Sequence, residues 1–410
     1  MTSIDRRNDM RPANGEAPFA LNEIFFSRTD SRGVIQTGNE IFRRVSGFDW
    51  DTLLGAPHKI IRHPDMPRGV FQLFWEIIQN GDFIGAYVKN RAKDGLHYWV
   101  FAVVVPCETG YLSVRIKPSS SLFDTVKQGY AALLRAEQTE KLTPEESRAR
   151  LLDWLSGLGF ESYRAFAAHA LSEELQSRDA GLGSVPDKTT LGLREKLRNA
   201  AVLVDETNGL IDDFSAMRTI PHNLRVIASR IEPAGGPVTV LSQNYGSMSR
   251  EMSNWFSAHV MGEDSNFTKI KELVNRSLFV EGMARILIEC DDQLQRERRD
   301  LGGIDLSAEQ AILSRLTKAQ VDSARLELKE VDREAERITR ACETMRRQFL
   351  GLSSTRVLCK IESARLPRDG ATLSDIIDQL GTFQERISRR LDKITHLCAS
   401  IREMKPERAA

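Results

Sequence analysis

Between Gly55 and Val100 the chain gathers side chains suited to recognition: Arg62, His63 and Asp65 within four residues, then Trp75, Asn90 and Trp99. Arg62 and His63 at the start of a helical turn could hold a pyrophosphate, because exposed helix N–H groups and a guanidinium both favour anions. A plainer reading has Asp65 capping the turn and Arg62 in a surface ion pair. Asn90 on a strand could read a ring edge through its amide or simply bond a neighbouring loop. Trp75 and Trp99 suit a packed core as well as the flank of a bound ring.

No catalytic set accompanies these residues. The seven histidines are scattered, and the chain holds no G-x-S-x-G, P-loop or H-E-x-x-H, nor the ATP-binding glycine boxes of a histidine kinase. The expectation is a protein that is not an enzyme, with no metal site. The five cysteines (107, 290, 342, 359 and 398) form no C-x-x-C pair and read as reduced, buried small residues. Lys+Arg and Asp+Glu both total 57, so no global charge draws the protein to nucleic acid or anionic lipid. The longest apolar run, Tyr98 to Pro106, is far short of the roughly 20 residues a membrane helix needs. With no apolar core behind the basic start, the expected location is the cytoplasm.

The elements that must position these side chains fall in two halves. Most aromatics precede residue 165, which predicts a β-containing front and a helical rear. Phe25 to Gln36 reads as strand, Asp/Gly turn, strand; Asn39 to Gly47 and Gly69 to Gln79 read as helices; three strands follow at 85–91, 96–106 and 110–117, the first two joined at Lys93-Asp-Gly95. Beyond Pro118 the text is helical: 122–139, 144–156, 162–177, about 191–231, a return toward Val260, and 266–300. Breaks are expected at Pro233 to Pro237, Leu301 to Gly303 and Pro367 to Gly370. Val321, Ala324, Leu328, Val331, Ala335, Ile338, Cys342, Met345, Phe349 and Leu352 form a coiled-coil seam. Ile376, Leu380, Phe383, Ile387, Leu391, Ile394, Cys398 and Ile401 form a second seam with one stutter, expected to pack antiparallel to the first.

The run Gly55-Ala-Pro-His-Lys-Ile-Ile-Arg-His-Pro-Asp-Met-Pro67, then Phe74-Trp75, then Val88-Lys-Asn-Arg-Ala-Lys-Asp-Gly-Leu-His-Tyr-Trp-Val100, resembles the PAS domain of bacterial aerotaxis receptors over about residues 21–117. The resemblance implies a PAS sensor that holds FAD noncovalently, with Arg62, His63, Asp65, Trp75, Asn90 and Trp99 at its cofactor site. The chain departs from the family at Phe83-Ile84 and Ala86, where a Pro-Trp pair and a glycine are usual. Haem is the alternative cofactor, ligated from a loop by His63 or His58 because the helix at 68–80 carries no histidine. Ile361-Glu-Ser-Ala-Arg365, Gly370 and Asp378-Gln-Leu380 resemble, in degenerate form, the hairpin tip of methyl-accepting chemoreceptors, which implies contact with a chemotaxis histidine kinase and its coupling protein. Any antiparallel coiled coil could carry the same pattern.

The expected fold class is α+β: a PAS fold with a five-stranded antiparallel sheet, then an all-α region of helical hairpins. The division expected is a flexible arm (1–19), the PAS domain (20–119), a helical connector and linker (120–188), a first hairpin (189–262), a connector (263–303) and a second hairpin (304–405). The expected function is a redox or oxygen sensor of the aerotaxis kind that passes a cofactor-dependent change to helices. A homodimer through those helices is expected, and no nucleic acid. The alternative is a cofactor-free PAS and coiled-coil interaction scaffold.

Overall fold

A computed structural model describes residues 11–217, 220–231, 236–259, 266–297, 305–364 and 370–403. The breaks expected near Pro233, Leu301 and Pro367 lie mostly or wholly outside these residues, as do the first ten positions and the centre of the chemoreceptor-like tip. The chain divides into two compact units, one of residues 1–191 with 275–326 and one of 192–274 with 327–410.

The first unit is built on a five-stranded antiparallel sheet in the order β2-β1-β5-β4-β3. Its strands are β1 (Phe25–Thr29), β2 (Ile35–Gly38), β3 (Ile84–Arg91), β4 (His97–Cys107) and β5 (Gly110–Ile116). Between β2 and β3 come α1 (Glu40–Ser46), a single turn α2 (Trp50–Leu53), a 3-10 turn (His58–Ile61) and α3 (Arg68–Gln79). The two short turns were not expected, since neither is long enough to show a hydrophobic period. Asn39 starts α1 by accepting from Phe42 N with its Oδ1, and Gly47 ends it in the left-handed region.

Both faces of the sheet are covered, because strand alternation sends apolar side chains each way. On one face Tyr87 packs on Phe101, Phe123 and Phe166, from β4, α4 (Ser121–Thr139) and α6 (Tyr163–Leu182). α5 (Pro144–Gly157) lies between them in sequence and opens with a capping box at Thr143 and Glu146. α10 (Asn266–Arg296) reaches the same face: Phe279 stacks on Phe83 with ring centroids 4.9 Å apart. A Cβ at Gly85 would come 2.7 Å from that Phe279 ring and 2.9 Å from Phe101, so a side chain here would have to displace one of the rings.

Part of the expected flexible arm is docked. Ala17 and Phe19 are buried, Ala17 N donates to His97 O at 2.7 Å, and Arg11 donates to the carboxylate of Asp94 and to the carbonyls of Arg44 and Val45. Its polar composition hid two apolar anchors and an added edge on β4.

The second unit is wholly helical among its described residues. It contains most of α7 (Lys188–Met217), α8 (Ile220–Ile231), α9 (Pro237–His259), the start of α10, most of α11 (Leu306–Ser363) and α12 (Gly370–Glu403). Ion pairs 336 with 402, 346 with 392 and 360 with 378 set α11 and α12 antiparallel in one constant register. Val331, Ala335, Ile338, Cys342, Met345 and Phe349 are buried along α11 as expected. Among the buried positions of α12, Leu373, Ile377, Leu380, Gln384, Ile387, Leu391, Ile394, Cys398 and Ile401 follow one another in an unbroken alternation of four and three, with Gly381 and Leu397 buried beside that seam. The expected stutter is therefore absent. It came from reading Ile376 and Phe383 as seam residues, whereas Ile377 and the polar Gln384 hold those places. Both side-chain polar atoms of Gln384 are buried without a hydrogen-bond partner.

These two seam positions predict opposite effects. Ile338→Asp should lower stability by roughly 3 kcal/mol or more, from the lost apolar volume and an unpaired carboxylate. Gln384→Leu should raise it by about 1 kcal/mol, since it removes an unsatisfied amide. Denaturant midpoints of the full chain check both, and a change of the same sign in the two variants would contradict the packing described.

Candidate functional site

The face of the sheet away from Tyr87 forms the floor of a cavity of about 120 Å³. Period-two alternation places Ser27 and Thr29 of β1, Val88 and Asn90 of β3, Ala102 and Val104 of β4, and Tyr111, Ser113 and Arg115 of β5 on that floor. The opposite wall is α3, whose Phe71, Phe74, Trp75 and Ile78 recur at helical spacing. His58 and Lys59 of the 3-10 turn, with Arg62 just beyond it, close one side.

The polar chemistry sits on β3 and β5. Asn90, Ser113 and Arg115 are all buried, and Asn90 Nδ2, Ser113 Oγ and Arg115 Nη1 have no hydrogen-bond partner. Buried polar atoms are normally paired, so three orphans lining one cavity mark a place shaped for something polar. The other nitrogen of the Arg115 fork, Nη2, lies 2.9 Å from Ser27 Oγ and 2.7 Å from His58 Nε2. Because a guanidinium only donates, His58 accepts at Nε2 and carries its proton on Nδ1. Burial, then the charge of Arg115, pushes the His58 pKa down to about 3, so the ring is neutral at ordinary pH. Burial likewise lowers Arg115 to about 10.

Of the six residues expected at a cofactor site, Arg62, Trp75 and Asn90 line the cavity and His63, Asp65 and Trp99 do not. Trp99 faces Lys89 across β3 and β4 and packs on Phe123 and Tyr130, on the other face of the sheet, as strand alternation from Asn90 and Tyr98 requires. Asp65 is exposed and pairs with Lys89 at 2.7 Å, which holds its carboxyl below the usual range. His63 accepts from Asp65 N at its Nδ1 and lies edge-on to His97; burial, then Lys89, lowers its pKa.

Arg62 follows the turn at its C-terminal end rather than opening one, and its guanidinium lies 3.8 Å over the Phe71 ring. The nearest helix start does not serve a phosphate either. Arg68 N and Gly69 N of α3 both donate to the buried carboxylate of Glu137, at 2.7 and 3.2 Å. Haem fits poorly, since His58 Nε2 already faces Arg115 and His63 is outside the cavity. Ser27, Ser113 and Arg115 were missed by sequence reading, although a charged residue between Val114 and Ile116 on a buried strand was the available signal.

This arrangement is that of the PAS fold: residues 36–111 match the PAS fold family. Among characterised proteins, the aerotaxis receptor of Escherichia coli strain K12 is 37% identical over 129 residues, 30% of this chain and 25% of the receptor. The bacterioopsin transcriptional activator of Halobacterium salinarum is 24% identical over 180 residues, 43% of this chain and 25% of that protein. The chain thus spans about a quarter of the length of these relatives. Among solved structures, a light-oxygen-voltage domain studied with a flavin analogue is 16% identical, covering 26% of this chain and 83% of that one, with a TM-score of 0.23. The light-state LOV domain of the blue-light photoreceptor Aureochrome1 is 22% identical, covering 29% and 92%, with a TM-score of 0.22.

The neutral state of His58 predicts a pH dependence of stability. Its folded pKa, about 3, lies below its unfolded value of 6.5, so the unfolded chain takes up the proton first as pH falls. The contribution is intact above pH 6.5 and is lost progressively toward pH 3, at up to about 1.4 kcal/mol per pH unit. Between pH 6.5 and 4.5 the wild type should lose about 2 kcal/mol more than His58→Gln, which keeps an acceptor for Arg115. Urea unfolding at several pH values tests this, and parallel profiles for the two proteins would refute it.

Proposed function

We propose that the chain is a cytoplasmic, non-catalytic sensor of redox state or oxygen, in which a flavin held by the PAS domain biases the helices packed against it. The observation that carries this reading is the set of orphaned polar atoms, Asn90 Nδ2, Ser113 Oγ and Arg115 Nη1, lining a cavity with otherwise largely aromatic and aliphatic walls. The likeness to the aerotaxis receptor supports a flavin, and FAD is the form that the sequence resemblance implies. A cavity near 150 Å³ accepts a benzene-sized ring, so a three-ring flavin requires the α3 side chains, Trp75 above all, to turn aside. A bound flavin would supply a ring that gains or loses electrons and protons and so alters its demand for hydrogen bonds. Asn90 would follow that change through its amide, and Arg62 and Trp75 would hold the remainder of the molecule; His63, Asp65 and Trp99 act at most on the surrounding fold.

The route outward runs through β1. Ser27 and Thr29 line the cavity, while Arg28 between them points the other way and makes a two-nitrogen ion pair with Glu309, in the first turn of α11. A rearrangement at Ser27 therefore reaches a helix start within one residue. Among the described residues no helix is long and apolar enough to cross a membrane. The helical unit would act by pairing with a second copy and by contact with a chemotaxis kinase or its coupling protein, as the degenerate tip implies.

Two experiments test this reading. Full-length protein should purify with a flavin absorption spectrum, and Asn90→Ala and Arg62→Ala should each weaken flavin binding about five-fold or more with unchanged circular dichroism. Equal flavin content in all three proteins would sink the site, and a chain that stays colourless after reconstitution would favour the cofactor-free scaffold. Arg28→Ala should leave flavin content unchanged but abolish any redox-dependent difference in amide exchange over residues 305–316; persistence of that difference would refute the route through β1.

A further inference from the structure

Arg115 is a buried cation without a counter-ion. It is 4% exposed, and among the described residues no carboxylate pairs with its guanidinium. Its neighbours Ser27 and His58 are neutral, and Nη1 has no partner. The cavity wall around it carries two more cations, Lys59 and Arg62, and no aspartate or glutamate. Burying a charge costs several kcal/mol unless an opposite charge or several hydrogen bonds compensate, and here two neutral acceptors and the Phe42 ring, 5.6 Å from the guanidinium carbon, are the compensation the structure shows. The other two orphans, an amide nitrogen and a hydroxyl, can also donate.

We infer that the cavity takes a ligand whose buried end is anionic, and that Arg115, oriented by His58 and Ser27, is the residue that selects that charge. The inference rests on the same cavity as the flavin reading but does not require a flavin. Within that reading the anion has two sources, a phosphate on the flavin's tail or the ring itself in its reduced, deprotonated form.

The experiment uses the full chain freed of ligand and follows binding by fluorescence quenching or calorimetry. Oxidised riboflavin and FMN differ by a phosphate, oxidised and dithionite-reduced riboflavin differ in ring charge, and benzyl alcohol and benzoate form a matched pair small enough for the cavity as it stands. In at least one pair the anion should bind about ten-fold or more tightly, the return expected of a buried charge-assisted hydrogen bond. Arg115→Gln should erase that preference and Arg115→Lys should keep part of it. Preference for FMN assigns the charge to phosphate, and preference for reduced riboflavin assigns it to the ring. Preference for benzoate with no flavin bound upholds the inference and refutes the flavin reading. Flavin bound without charge preference in any pair overturns the inference and leaves the flavin reading standing. Should Arg115→Gln fail to fold, wild-type selectivity and the lysine variant still decide: equal affinity within all three pairs overturns the proposal.

Discussion

The PAS unit depends on buried and half-buried carboxylates that bond to the backbone at the starts of other elements. Glu174 of α6 is wholly buried and accepts from Ser119 N, Ser120 N, Ser120 Oγ and Tyr87 Oη, tying the start of α4 to β3. Glu137 of α4 does the same for α3, and Ser147 adds a third donor from α5. Glu297, just past α10, accepts from Glu40 N at the start of α1 and from Asn39 Nδ2. A helix start offers several unsatisfied N–H groups and the positive end of a dipole, so a carboxylate there is compensated without a buried cation. Each contact fixes a helix end in position and direction, which apolar packing alone, tolerant of sliding, does not.

Against that rigid frame the pleat of β1 stands out as the place where cavity and helices meet most closely. Asn39 holds Phe26 N and Ile24 O with one side chain and also contacts Glu297, so the strand, α1 and the end of α10 share a single amide. The neighbouring residues Ser27 and Arg28 point to opposite faces, one toward Arg115 and the other toward Glu309. Small shifts in such a strand move both faces together, because a packed sheet does not stretch. The charge pattern fits this geometry: acids lie at the helix joints and cations lie in the cavity.

Much of the PAS fold could be read from the chain, since Asp/Gly turns between β-prone runs marked the five strands and apolar spacing marked the long helices. The site was legible only in part. Arg62, Trp75 and Asn90 lie in a recognisable string, but their grouping with Arg115 depends on β5 pairing between β1 and β4, a non-local fact that no short motif encodes. Trp99 and Asn90 seemed equivalent as linear signals and are separated by the parity of the strand register. In the helical unit most seam residues were found but two positions of α12 were misread by one residue, Ile376 for Ile377 and Phe383 for Gln384, the second because Phe383 is the more hydrophobic neighbour of Gln384. A polar residue in a seam is visible only when the periodicity is carried through it.

The discontinuity of the first unit bears on how the chain is made. Residues 275–326 complete the covering of the sheet, yet they leave the ribosome only after the roughly eighty residues that follow position 191. At about 5–20 residues per second that is a delay of about 4–16 s. During it Gly85 and Phe83 lack Phe279, α1 lacks the Glu297 carboxylate, and Arg28 lacks Glu309. The newborn sheet therefore waits with one apolar flank and an unpaired arginine exposed, and whatever shields it in that interval, a chaperone or an early-bound ligand stiffening the opposite face, helps decide how much of the protein matures.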